Sequence, residues 1–169
     1  MARDRAGRHP DAVTTTLTDY VVDRRLAGDD GGAALRQCLR LAAADVTEFE
    51  CDLPWTDDQT SDVRIAAAVL RRIARHPRRS PPATGVLGAG DPLVWDAFVL
   101  FAPYAYDGSV WTASGDGEPS VGFADANCSL WVRLAPEEVE RWAAALAPDA
   151  VLVPAREWRA RRRRGSTSS

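Results

Sequence analysis

Short β-prone runs separated by turn residues fill the stretch from Leu93 to Leu134, and alternation within them predicts a sheet. Asp107-Gly108 and Asp116-Gly117 are dipeptides that two-residue type I′ turns prefer, because both central positions need positive φ. We therefore predict a four-stranded antiparallel β-meander over residues 93–134. Its strands are Leu93–Tyr104, Ser109–Ser114, Ser120–Asp125 and Cys128–Leu134.

Counting outward from those turns assigns the side chains of the meander to two faces. One face is almost purely apolar and is predicted to form the core: Trp95, Val99, Phe101, Val110, Thr112, Val121, Phe123, Leu130, Val132 and Leu134. The other face carries an aromatic row of Tyr104, Trp111, Gly122 and Trp131. The glycine between two tryptophans predicts a recess, and Asp96 and Arg133 add one charge of each sign. Either a helix covers this row, or it is a surface for a ligand or partner.

Periodicity predicts further elements on both sides of the meander. Leu35, Cys38, Leu39 and Ala42 mark a helix over residues 33–44, with Cys38 as a core residue rather than a nucleophile. Residues 46–53 alternate as a half-buried strand with an acidic outer row. A second helix is predicted from a capping box at 56–59 to Arg75, and a third starts at Pro136. A short strand is predicted at 151–153. Residues 13–26 fit either a helix or a strand.

Together these elements predict an α+β fold, with an antiparallel sheet of four to six strands packed against two or three helices. The length suits a single domain over residues 13–155, with a disordered N-terminus (1–12). Residues 156–169 are predicted to be a basic tail that is disordered or at most a short basic helix. No run approaches the roughly 18 apolar residues of a membrane span, and the N-terminus has no signal-peptide pattern. We expect a soluble, cytoplasmic protein that does not bind membranes. The three cysteines lack motif spacing, which agrees with a reducing compartment.

Charge is distributed unevenly along the chain. Residues 156–169 contain six Arg and one Glu and have a net charge of +5, and residues 1–10 contain three Arg and one Asp and have a net charge of +2. Because the whole chain has a net charge of −3, the residues between these ends carry −10. An acidic body is not the footprint of a nucleic-acid-binding domain, so nucleic acid is expected only through the arginine-rich tail. The chain contains no lysine, which indicates a GC-rich bacterial genome rather than a function.

Few residues offer catalytic chemistry. The two histidines, His9 and His76, lie in the predicted disordered end and beside a proline, and no Cys/His cluster has metal spacing. We expect neither a metal nor a cofactor. Asp96 is the one catalytic candidate. Its role is structural if it pairs with Arg133 or a hydroxyl, and it is a general acid or base if it opens into a pocket.

Two functions from different classes follow from this surface. The one we favour is a non-enzymatic partner-binding protein of the immunity, inhibitor or accessory type, since Tyr, Trp and Arg dominate interface hot spots. Its binding residues would be Tyr104, Trp111, Gly122, Trp131 and Arg133. The alternative is a small-molecule-binding domain or a small enzyme with a pocket on the same face, in which Asp96 is the acid or base and Arg133 contacts an anion.

Overall fold

The computed structural model describes residues 16–24, 32–55, 60–125, 129–147 and 150–165. Its strands are β1 (Thr18–Arg24), β2 (Val46–Cys51), β3 (Leu87–Gly88), β4 (Gly108–Thr112), β5 (Val121–Ala124), β6 (Ser129–Leu134) and β7 (Ala150–Pro154). Its helices are α1 (Gly32–Ala42), α2 (Ser61–Ile73), α3 (Pro92–Phe101), α4 (Val139–Leu146) and α5 (Ala155–Gly165). None of these helices is both long and apolar enough to cross a membrane.

The strands form one antiparallel sheet in the order β3-β2-β4-β5-β6-β1-β7. The predicted α+β class is therefore confirmed. In the described part of the chain the sheet has seven strands rather than four to six, and there are five α-helices rather than two or three. The extra strands are the two-residue β3 within a predicted loop and β1, which resolves the ambiguity over residues 13–26 in favour of a strand.

The first predicted strand of the meander is wrong, because residues 92–101 form α3. Its run of apolar residues has no clear period, and a short continuous run of this kind fits a buried helix as well as a buried strand. The N-terminus of α3 explains the choice: the Asp91 carboxylate accepts a hydrogen bond from the Leu93 N–H at 2.9 Å, and Pro92 follows the cap. Trp95 and Phe101 are buried, as expected, but they lie on α3 rather than on the sheet.

The last three strands of the meander are confirmed, with a corrected register. Gly122 lies opposite Trp131 as predicted, whereas its other neighbour is Ser109 rather than Trp111. The shift arises because the connection between β4 and β5 spans residues 113–120 and is not a two-residue turn at Asp116-Gly117. The hairpin predicted at Asp107-Gly108 is also wrong, since Gly108 begins β4 and pairs with both β2 and β5.

One face of the sheet, which we call the inner face, holds the core. Six of the residues predicted for it are buried there: Val110, Val121, Phe123, Leu130, Val132 and Leu134. Helix α1 packs against β5, α3 and α4, and α2 packs against α3, so these four helices form a layer over the inner face. Phe49 of β2 meets α3 in this layer, with its ring centroid 4.4 Å from that of Phe98 and 5.7 Å from that of Trp95.

The other predicted elements are found close to their expected places. Helix α1 and strands β2 and β7 match the periodicity, α4 follows a 3-10 turn at Pro136–Glu138, and the core residue Cys38 is fully buried. The capping box at 56–59, residues 1–12 and Cys128 lie outside the described residues. Residues 156–165, predicted as part of a tail that is disordered or at most a short basic helix, belong to α5, which contacts β1 and β7.

Two glycines in the sheet each lie opposite an aromatic residue of the next strand: Gly108 opposite Phe123, and Gly122 opposite Trp131. In both pairs the ring occupies the space where a glycine Cβ would stand. Aromatic coverage of a strand glycine restores the packing surface that the missing side chain would otherwise leave empty. The two pairs lie on opposite faces, so one contributes to the core and the other shapes the outer surface.

Gly108→Ala is expected to lower the free energy of unfolding by about 1–3 kcal/mol, the usual range for overpacking a well-filled core. The new Cβ would overlap the buried Phe123 ring and approach the Glu50 carbonyl oxygen to 2.9 Å. Gly88→Ala is the matched control, because nothing lies within 4 Å of its Cβ position. Urea denaturation measures both variants, and equal midpoints would show that Phe123 does not lie over Gly108.

Candidate functional site

The outer face is the side of the sheet opposite helices α1–α4, and it contains most of the predicted binding residues. Strand register places one row across it: Glu50, Ser109, Gly122, Trp131, Val21 and Val153. Period-two alternation adds Trp111 and Arg133 to the same side. Helix α5 contacts β1 and β7 and therefore covers one end of this face. The helix that was predicted as one alternative therefore covers one end of this face, at β1 and β7.

Trp131 lies at the centre of the outer face with its indole ring on Gly122. Three atoms of its six-membered ring occupy the position that a Gly122 Cβ would need. The predicted recess at Gly122 is therefore filled by Trp131 itself, which is a correction to the expected shape. Because the glycine backbone supports the ring from below, Trp131 is held flat, while part of the side chain remains accessible.

Trp131 lines two cavities, one on each side of it. The indole cleft, of about 360 Å³, lies between Trp131 and Trp158 of α5, and its polar groups are Asp19, Glu118, Arg133 and Arg159. The acidic cavity, of about 510 Å³, contains Glu50, Asp52 and Asp107, with His76 and Arg79 as its basic groups. Both volumes fall in the range of cavities that bind small molecules or anchor side chains of a partner.

Arg133 is held between two carboxylates. Its Nε donates to Asp19 Oδ1 at 2.8 Å, and its Nη1 donates to Asp116 Oδ1 at 3.1 Å. The hydrogen bond to Asp19 is the main reason that the pKa of Arg133 is raised, and the Glu118 N–H is the main reason that the pKa of Asp116 is lowered. Two neighbouring negative charges oppose the anion contact predicted for this guanidinium, so its described role is to fix β6 to β1 and to the 113–120 loop.

Asp52 is a carboxylate of the acidic cavity whose pKa is raised by the fold. Burial raises the pKa of its carboxyl, although Oδ1 accepts hydrogen bonds from the N–H groups of Asp107 at 3.2 Å and Tyr106 at 2.8 Å, which lower it. A carboxyl with a raised folded-state pKa favours folding below its unfolded pKa, and this contribution is lost as pH rises through the folded pKa. Ionised Asp52 is therefore destabilising at neutral pH.

Asp52→Asn is expected to leave stability unchanged or to increase it at pH 7, since an amide oxygen can accept the same two hydrogen bonds without the desolvated charge. The advantage should disappear on acidification, when the wild-type carboxyl is protonated. Urea unfolding at pH 7 and below pH 4 tests this. A variant that is clearly less stable at pH 7 would mean that the charge itself is needed there.

The remaining predicted site residues do not join this surface. Asp96 is exposed on α3, and the described partners of Arg133 are Asp19 and Asp116, so the predicted Asp96–Arg133 pair is absent among the described residues. Tyr104 is partly buried in the 3-10 turn after α3, on the helix side of the sheet. Both corrections follow from the helix at residues 92–101. Trp111 is on the outer face as predicted and lies opposite Glu48.

Sequence reasoning missed Trp158 and Arg159, which complete the indole cleft from α5. A signal was present: a single large apolar residue, Trp158, stands in an otherwise basic segment directly after a predicted strand. It also missed Asp19 and Glu118, because their positions depend on the pairing of β1 with β6 and on the path of the 113–120 loop. These contacts join residues that are far apart in the chain.

The cysteine side chains within the described ranges do not offer a nucleophile. Burial raises the pKa of the Cys38 thiol to about 12, and burial also raises that of Cys51. In the same ranges no group of three or more His, Cys, Asp or Glu side chains is placed to hold a metal ion. No protein-family model, curated protein or solved structure matches this chain.

Proposed function

We propose that this chain is a non-enzymatic protein of the immunity, inhibitor or accessory type that binds a protein partner with the outer face of its sheet. The observation that carries the proposal is the position of Trp131, a partly buried indole held on Gly122 between two cavities. Tryptophan is enriched among residues that dominate binding energy, and such residues lie near the centre of an interface beside pockets. A preformed, rigid anchor also reduces the entropy lost on binding.

The charges beside Trp131 indicate the chemistry of the partner. Three carboxylates of the acidic cavity face one arginine, and Glu48 is exposed on the same strand as Glu50. A surface with this excess of negative charge attracts a basic partner and increases the rate of encounter. We therefore propose a partner that presents basic side chains to β2 and β4 and an apolar side chain to Trp131.

A second candidate function, small-molecule binding, is favoured by the indole cleft. Its volume of about 360 Å³ and its two indole walls are typical of a ligand site. The enzymatic form of this alternative receives no such support, because Asp96 lies on α3 and is not one of the residues that line the cleft.

Charge reversal on the outer face tests the favoured function. Immobilised wild-type chain, Glu48→Arg and the matched control Glu140→Arg are exposed to a lysate of the source cells, and the captured proteins are compared by mass spectrometry. Both glutamates are exposed, but Glu140 belongs to α4 in the helix layer. We expect Glu48→Arg to lose a protein that the wild type and Glu140→Arg retain. Identical captures by all three chains would contradict the proposal.

A further inference from the structure

Helix α5 has two different faces. Trp158 points to the indole cleft, and the guanidinium of Arg162 lies 4.8 Å from the centre of its ring. The other face carries four exposed arginines beside Ala160: Arg156, Arg159, Arg163 and Arg164. Arg156, Arg159 and Arg163 are spaced three and four residues apart and so lie on one side of the helix, and Arg164 borders that side. We call this side the arginine groove.

Arg159 lines the indole cleft and also belongs to the arginine groove, so the cleft and the row of arginines adjoin each other at this residue. A site with two indole walls therefore lies next to a row of guanidinium groups. A planar aromatic group can stack on the indole walls, and a negatively charged group can pair with the guanidinium groups of the arginine groove. The ligand that uses both has a planar aromatic part joined to a negatively charged part.

We propose that the indole cleft and the arginine groove together bind a nucleotide, with the base in the cleft and the phosphate in the groove. Bases stack on aromatic side chains without strong sequence preference, and guanidinium groups bind phosphate oxygens in a bidentate manner. The carboxylates of Asp19 and Glu118 in the cleft can accept hydrogen bonds from the amino groups of a base. Arg133, already held by Asp19 and Asp116, remains a structural residue in this site.

This site shares Trp131 with the proposed protein interface. Its other distinguishing residues, Trp158 and the arginines, belong to α5 and not to β2 or β4. The nucleotide can be free or can be one unit of a single strand, and the shared chemistry is the same. A helix of this length extends about 16 Å, so the arginine groove is long enough to follow more than one phosphate.

Fluorescence anisotropy of labelled 12-nucleotide single strands of RNA and DNA tests the site in the full-length chain, with AMP and inorganic phosphate as competitors and salt varied at each step. Arg156→Ala/Arg163→Ala should weaken binding at least about 10-fold at low salt. It should also reduce the slope of log affinity against log salt by about 1.4, because each phosphate contact on a single strand contributes about 0.7. The matched control is Arg64→Ala/Arg72→Ala, which removes two exposed arginines from α2.

Trp158→Ala should weaken oligonucleotide binding about 10-fold, and Trp158→Phe should retain it, because phenylalanine can still stack. The phenylalanine variant keeps the test valid if alanine disturbs α5. If AMP competes with the oligonucleotide and inorganic phosphate does not, the ligand is a free nucleotide. If oligonucleotides bind and AMP does not compete, the ligand is a single strand. Either result supports the proposal. The proposal would be overturned if the α5 and α2 arginine variants lost the same oligonucleotide affinity, or if Trp158→Ala bound oligonucleotides as the wild type does. It would also be overturned if no nucleotide bound.

The same measurements separate this site from the protein interface. Glu48→Arg, designed to disrupt the protein interface, should not weaken nucleotide binding, and Trp158→Phe should not alter the captured protein. If Glu48→Arg captures the same proteins as the wild type, the proposed protein interface has failed. If Trp158→Ala binds nucleotides as the wild type does, the proposed nucleotide site has failed.

Discussion

Phe49→Ala is expected to lower the free energy of unfolding by about 3–5 kcal/mol, the range for removing a large aromatic side chain from a core. Phe49 is fully buried on β2, and its ring joins the sheet to α3 through Trp95 and Phe98. Alanine would leave a cavity between two layers, and the rings that line it would lose their contacts. Neither β2, which pairs on both sides, nor α3 can move freely to fill this space.

Leu93→Ala is the control for that variant, because Leu93 is 77% exposed on the same helix that Phe49 contacts. Its effect should stay within about 0.5 kcal/mol, as for other surface substitutions. Chemical denaturation followed by far-UV circular dichroism measures both. If the two variants unfold at similar denaturant concentrations, Phe49 does not connect the sheet to the helix layer.

Part of this architecture could be predicted because local patterns agree with the final packing. Residues 46–53 alternate and form β2, and the stripe around Leu35 and Leu39 forms the buried side of α1. Trp131 could be placed opposite Gly122 because the connection from β5 to β6 is short. In each case the information that determines the element lies within a few residues of it.

The helix at residues 92–101 could not be predicted in the same way. Trp95, Phe98 and Phe101 are all buried, and the residues between them are mostly apolar, so no polar face marks a helical period. The decisive signal is the Asp91-Pro92 pair, which caps and starts a helix. Placing these residues in a strand brought Asp96 and Tyr104 to the wrong side of the sheet.

The composition of the outer face was predicted in part from the sequence. Trp111, Gly122, Trp131 and Arg133 share the outer face because strand alternation is a local property. The cavities beside Trp131 depend on tertiary contacts instead: α5 supplies Trp158, and segment 76–86 supplies His76 and Arg79. No pattern within one segment specifies where these pieces meet.

Removal of the central indole has the second largest expected effect, and it acts on binding more than on folding. Trp131→Ala removes the anchor between the two cavities and exposes Gly122. A hot-spot residue of this kind contributes at least about 2 kcal/mol to affinity, which corresponds to about 30-fold in Kd. The loss of stability should be smaller, since the side chain is only partly buried and its ring lies on a glycine.

Trp55→Ala is the matched control, because Trp55 is 77% exposed and its ring lies 3.8 Å from the Arg71 guanidinium of α2, away from the outer face. It removes the same side chain without changing either cavity beside Trp131. Both variants should be shown to be folded by their unfolding midpoints before binding is measured.

The affinity of the captured protein partner for wild type, Trp131→Ala and Trp55→Ala, measured by isothermal titration calorimetry, tests most directly whether the outer face is the working surface. Our account predicts that Trp131→Ala raises Kd at least about 30-fold, while Trp55→Ala binds like the wild type. A folded Trp131→Ala chain that binds the partner with unchanged Kd would contradict it.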